Sequence, residues 1–74
     1  MKITNLLNKI ANGEIENDSI FYVNGDFFYN LIVVDGDLYV INTRTKQLTL
    51  LESHIIGRFI EANIVLYEYK MIIN

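Results

Sequence analysis

The sequence predicts an α+β fold in a single domain, residues 1–74: an N-terminal helix, an antiparallel β-meander of three to four strands, a second short helix and a C-terminal strand. Three observations lead to this prediction. Apolar residues recur at helical spacing near the start, two Xaa-Gly pairs separate β-rich runs in the middle, and a capping-box pattern precedes a second helical stripe. A chain of 74 residues leaves room for one domain.

The first apolar stripe predicts a helix over residues 3–12. Its members are three or four positions apart, so they lie on one side of a helix. They are Ile3, Leu6, Leu7, Ile10 and Ala11. Gly13 follows directly, and glycine is the favoured residue for the left-handed conformation that ends many helices.

The middle of the chain predicts strands at 20–23, 26–34 and 37–42. The meander has three strands or four, and residues 47–50 are the candidate for the fourth. Asn24-Gly25 and Asp35-Gly36 separate the first three runs. Both pairs are preferred in two-residue type I′ turns, because asparagine, aspartate and glycine accept the positive φ that these turns require. Two-residue turns then predict the pairing of the strands.

Under that pairing, Phe21 is expected to face Phe28 across the first turn, and Val33 to face Leu38 across the second. Both faces of the predicted sheet are then apolar. Two short helices offer little cover for two faces, so we expect the helices to cover one face and another molecule to cover the rest. We favour a homodimer over a monomeric sandwich, because so small a chain buries too little surface by itself.

The last third of the chain predicts a helix near 51–62 and a strand over 64–73. Thr49-Leu50-Leu51-Glu52 fits the capping box, and apolar residues follow at helical spacing. These residues are Leu51, Ile55, Ile56, Phe59 and Ile60. Gly57 lies inside the stripe and weakens the helix by about 1 kcal/mol relative to alanine.

Charge is unevenly distributed along the chain. The net charge is −3, and no Lys or Arg lies between Ile10 and Thr43. The predicted sheet gathers five carboxylates at one end, which we call the acidic rim: Glu14, Glu16, Asp18, Asp35 and Asp37. An acidic rim predicts binding to a partner protein with a basic surface. Direct binding to nucleic acid is not expected, because it requires a contiguous basic face.

No metal site, cofactor or catalytic residue is predicted. Asp35-Gly36-Asp37 lacks the further oxygen ligands of a calcium loop. His54 is the only histidine and there is no cysteine, so we do not expect an enzyme. No apolar run approaches the roughly 20 residues of a membrane span. The prediction is a cytoplasmic protein.

A second function class also has candidate residues. Arg44, Lys46 and Arg58 supply positive charge, and Tyr39 supplies an aromatic ring. Guanidinium and ammonium groups bind phosphate, and aromatic rings stack on bases. The alternative is therefore an oligomeric module that sequesters a phosphorylated nucleotide signal.

Residues 6–14, LLNKIANGE, resemble the opening of a group of small phage and prophage proteins of Gram-positive bacteria. In that group a short helix ending in an Asn-Gly-Glu step leads into a small sheet. The resemblance implies a phage accessory protein acting in the cytoplasm of the infected or lysogenic host cell. Small acidic phage proteins of this size include inhibitors of host defence systems, among them anti-CRISPR proteins, and proteins that sequester nucleotide immune signals.

Overall fold

Residues 1–67, which the computed structural model describes, form one antiparallel sheet with helical segments on one of its faces. The elements are α1 (Ile3–Ala11), β1 (Ile20–Val23), β2 (Tyr29–Val34), β3 (Asp37–Asn42), β4 (Leu48–Leu50), α2 (Ser53–Ile56) and β5 (Ile64–Tyr67). The strand order in the sheet is β4-β3-β2-β1-β5. The predicted α+β fold class is therefore confirmed. Residues 68–73 of the predicted last strand lie outside the described residues.

Helix α1 ends as the sequence predicts. Gly13 has φ of +73°, and its N–H donates to the Ile10 carbonyl at 3.0 Å. The Glu14 N–H donates to the Lys9 carbonyl at 2.9 Å. These two bonds form a Schellman motif, which satisfies carbonyls that the last helical turn would leave unpaired. The chain then turns back towards β1.

The second predicted turn is confirmed. Asp35 and Gly36 both have positive φ, +53° and +85°, as a type I′ turn requires. Val34 pairs with Asp37 and Val33 pairs with Leu38. The register of β2 and β3 therefore follows directly from the Asp-Gly pair.

The first predicted turn is found at Asn24-Gly25, but its predicted type and the predicted register of β1 and β2 are wrong. Phe21 pairs with Leu31 rather than Phe28, a shift of three positions. Gly25 has φ of +84° while Asn24 is absent from the positive-φ residues, so this is not a type I′ turn. The Asp26 N–H closes a tight turn on the Val23 carbonyl at 3.0 Å. Because three is an odd number, the shift also reverses which side of β1 faces the core.

One face of the sheet, which we call the core face, is buried under α1 and residues 51–62. Its buried strand residues are Phe21, Val23, Leu31, Val33, Leu38, Val40 and Ile64. Ile3 and Leu6 of α1 pack against them, as does Phe59. Each of these three side chains is no more than 1% exposed.

The predicted helix near 51–62 is wrong over most of its length. Only Ser53–Ile56 is helical, and Thr49 is not its cap because it pairs with Val40 in the sheet. Beyond Ile56, the Phe59 N–H donates to the Ile56 carbonyl at 2.9 Å. This bond joins residues three positions apart, whereas the bonds of an α-helix join residues four positions apart. The turn contains Gly57, and glycine has a low helix propensity. Packing of Phe59 holds this segment in place.

No helix within residues 1–67 is long and apolar enough to cross a membrane.

Candidate functional site

The second face of the sheet, which we call the open face, is apolar and lies opposite the helices. Directly paired residues share a face, so the observed register assigns its members. They are Ile20, Tyr22, Ile32, Val34, Tyr39, Ile41, Leu48, Leu50 and Val65, with Asn30 in the central strand and Asp37 at one end. Leu48 and Val65 are 46% and 45% exposed. Tyr22 and Leu50 are also exposed, and the other apolar members of this face are half-buried.

The segment between β1 and β2, residues 24–28, projects two phenylalanines into solvent, and we call it the aromatic loop. Phe27 is 88% exposed and Phe28 is 62% exposed. The Thr43 side-chain hydroxyl donates to the Phe27 carbonyl at 2.9 Å, and the Thr43 N–H donates to the Phe28 carbonyl at 2.9 Å. The loop backbone is thus fixed to the end of β3 although its rings are exposed.

Asp26 fixes the aromatic loop from the other side. Its Oδ1 accepts the Phe28 N–H at 2.9 Å, and its Oδ2 accepts Nε and Nη2 of Arg58, each at 3.2 Å. The Arg58 guanidinium also lies 4.8 Å from the centroid of the Tyr29 ring. Both carboxylate oxygens are used, and the Asp26 side chain is only 13% exposed. The loop is therefore connected to the segment that follows α2.

Replacing Asp26 with alanine is expected to lower the free energy of unfolding by about 1–2 kcal/mol, because the Phe28 N–H and Arg58 both lose their acceptor. Urea unfolding at neutral pH measures this. Lys9→Ala is the matched control: it removes the Lys9–Glu14 pair, whose side chains are 45% and 51% exposed, and should change stability by less than about 0.5 kcal/mol. Equal effects of the two substitutions would contradict the fixing role of Asp26.

The acidic rim residues lie at the end of the sheet opposite the aromatic loop. The Asp18 N–H donates to the Val33 carbonyl at 2.7 Å, and the Asp35 N–H donates to the Asn17 side chain at 2.7 Å. These bonds bring the 14–18 segment to the turn that carries Asp35 and Asp37. Glu14 lies 3.5 Å from Lys9, and Glu16 borders the same surface hollow as Glu14. Their role in partner binding stays a prediction.

The residues of the ligand-binding alternative are not on one face. Arg58 borders a hollow of about 290 Å³ together with Val40, a core-face residue, whereas Tyr39 lies on the open face. Arg44 and Lys46 lie in the turn between β3 and β4, where the Asn42 side chain accepts the Arg44 N–H at 2.9 Å. One chain does not bring Arg58 and Tyr39 to a common site. The nucleotide-binding alternative stays a prediction.

Within residues 1–67, no group of three His, Cys, Asp or Glu side chains has the arrangement of a metal site. His54 lies in α2, and its side chain is outside the described part of the structure.

The aromatic loop is the functional feature that the sequence pattern does not predict. Aromatic residues have high β propensity, so Phe27 and Phe28 are expected within the strand at 26–34. A contrary signal was present: aspartate two residues before Phe28 is typical of an Asx turn, in which the side chain accepts a nearby backbone N–H. The partner of the loop, Thr43, is distant in sequence and had no comparable signal.

Known proteins do not assign the chain to a family. No protein-family model, no curated protein and no solved structure matches it. The geometry of the open face and of the aromatic loop is therefore the basis for a functional proposal. The resemblance of residues 6–14 to phage proteins stays a prediction.

Proposed function

We propose that the protein is a non-enzymatic interaction protein that inhibits a host protein by binding it, with the aromatic loop as the anchor. The observation that carries this proposal is that two adjacent phenylalanines, 88% and 62% exposed, lie on a loop with a fixed backbone. Leaving such a side chain in water forgoes about 1.5–3 kcal/mol of burial free energy. A partner that buries both rings recovers it.

The fixed backbone favours tight binding. Ordering a loop on association costs free energy that is subtracted from the affinity. Here Asp26 and Thr43 already hold the loop through hydrogen bonds of 2.9 Å. Aromatic side chains are among the residues most enriched at the energetic centres of protein interfaces. The expected partner surface is therefore an apolar pocket wide enough for two phenyl rings.

The acidic rim contributes orientation and rate. Its carboxylates lie at one end of the sheet, and the basic residues Arg44 and Lys46 lie at the other. Such a charge separation orients an approaching partner and speeds its encounter, an effect that decreases as salt concentration rises. A partner whose basic residues lie about 20 Å, one strand length, from its apolar pocket suits this arrangement. A host defence protein as the target is part of the proposal, and this part rests on the resemblance to phage proteins.

The proposal is tested by comparing three tagged proteins in affinity capture from a lysate of a Gram-positive bacterium. They are the wild type, Phe27→Ser/Phe28→Ser and the control Ile60→Ser, whose side chain is 43% exposed in a different segment. We expect the wild type and the control to enrich the same protein, and the double variant to lose it. Inhibition of the purified target by the wild type and by the control, but not by the double variant, completes the test.

An identical set of captured proteins for the wild type and the double variant would contradict the anchoring role of the aromatic loop. Capture without any effect on the target's activity would contradict inhibition. Because both phenylalanines are exposed, the double variant should remain folded, and circular dichroism checks this.

A further inference from the structure

We infer that the open face binds a second copy of the chain in an antiparallel, face-to-face homodimer. In this dimer the middle row of the open face, with Ile32 and Tyr39, lies near the two-fold axis, and the acidic rim of each copy lies over Arg44 and Lys46 of its partner. The inference goes beyond the proposed inhibitory function and does not depend on it. It rests on the size, the composition and the charge distribution of the open face.

The size of the open face suits a dimer. The five strands have 4, 6, 6, 3 and 4 residues, and each residue covers about 3.3 Å along its strand and about 4.8 Å across the sheet. Allowing for the relief of side chains, two such faces bury on the order of 1,000 Å², the size from which a specific protein interface is expected. Monomers seldom expose an apolar patch of several hundred square ångströms without a use for it.

The composition of the open face favours a copy of itself over a charged partner. In the part of the chain that the structure describes, the only charged side chain on this face is Asp37, at one end. Tyr22, Ile41 and Val65 lie in one row across the sheet with Asn30. An apolar surface of this kind packs against another at a sheet-to-sheet distance of about 10 Å.

Charge selects the antiparallel arrangement. β3 begins at Asp37, inside the acidic rim, and ends at Asn42, just before Arg44 and Lys46. The two charged ends are thus separated by a strand about 20 Å long. A two-fold axis that lies between the two sheets, parallel to their planes and perpendicular to the strands, places the acidic rim of one copy over the basic turn of the other. An axis parallel to the strands would instead place the two acidic rims together, where like charges repel.

Light scattering coupled to size exclusion tests the dimer. The wild type is expected to have twice the chain mass of 8.6 kDa at micromolar concentration. Ile41→Glu, in β3 of the open face, and Val65→Glu, in the edge strand β5, should each raise the dissociation constant more than about tenfold. The matched control is Leu66→Glu: Leu66 adjoins Val65, is similarly exposed at 43%, and shares the core-face side with Phe21.

A wild-type monomer at high micromolar concentration would overturn the inference, as would a dimer that neither Ile41→Glu nor Val65→Glu weakens. Val65→Glu is the decisive variant if Ile41→Glu does not fold, because Val65 is 45% exposed in the single chain. Mass is measured without any host protein. The dimer and the proposed inhibition can therefore fail separately.

Carbodiimide crosslinking tests the antiparallel arrangement. We expect a zero-length crosslink between Lys46 and Asp35 or Asp37 that joins one isotopically labelled chain to one unlabelled chain. Within a single chain these groups are separated by the length of β3, about 20 Å, which a zero-length bond does not span. Absence of this crosslink in a dimer of confirmed mass would overturn the antiparallel arrangement.

Discussion

Replacing Phe21 with alanine is expected to lower the free energy of unfolding by about 3–5 kcal/mol, whereas Phe28→Ala is expected to change it by less than about 0.5 kcal/mol. Phe21 is 1% exposed on the core face, and Phe28 is 62% exposed in the aromatic loop. Removing a buried ring loses its transfer free energy and leaves a cavity, because the surrounding side chains relax only partly.

This comparison tests the register of the first hairpin. A two-residue turn would pair Phe21 with Phe28 and give them similar burial, so their substitutions would cost similar amounts. The observed pairing of Phe21 with Leu31 separates them. Urea unfolding of both variants measures the difference, and near-equal losses of stability would contradict the observed register.

Phe59→Ala is expected to have an effect of similar size, about 3–5 kcal/mol. A domain of 74 residues has a total stability of only about 4–11 kcal/mol, so the variant should be substantially unfolded at 37 °C. Phe59 is 1% exposed and is the buried side chain of the irregular segment 57–62. Its ring connects this segment to the core face.

The neighbouring residue supplies the control. Ile60 is 43% exposed, so Ile60→Ala should cost less than about 1 kcal/mol. Thermal unfolding followed by circular dichroism compares the two variants. If Ile60→Ala destabilised the protein as much as Phe59→Ala, residues 57–62 would have to present the opposite side to the core.

The proposed partner site borders the face proposed for the dimer, because Phe27 lines one hollow with Tyr22 and Val65 of the open face. The aromatic loop is hydrogen-bonded to Thr43, directly before the basic turn of Arg44 and Lys46. In the antiparallel dimer the acidic rim of the second copy lies over this same end of the sheet. A host protein that buries Phe27 and Phe28 would then meet the carboxylates of the second copy with its own basic residues.

Local interactions explain what the sequence predicted well. Helix α1 and its glycine stop depend on contacts within five residues, and so does the Asp35-Gly36 turn that sets the β2–β3 register. The acidic rim followed from that turn, because the pairing of β2 with β3 places Asp35 and Asp37 at a known end of the sheet. The apolar character of the open face was also predicted, because side chains alternate along strands whatever their cover.

The first hairpin and the second helix were decided by tertiary contacts. Asn24-Gly25 is compatible with more than one turn, and the choice depends on Thr43 and Arg58, which are 15 or more residues beyond the loop. The predicted helix after Leu51 is interrupted for two reasons. Gly57 weakens the helical preference of the segment, and the burial of Phe59 and the pairing of β4 with β3 stabilise the irregular path more than a short helix would. By itself the sequence determined the elements governed by near neighbours. Only the tertiary structure decided which aromatic residues enter the core and which stay exposed, because long-range packing free energies exceed local preferences of about 1 kcal/mol.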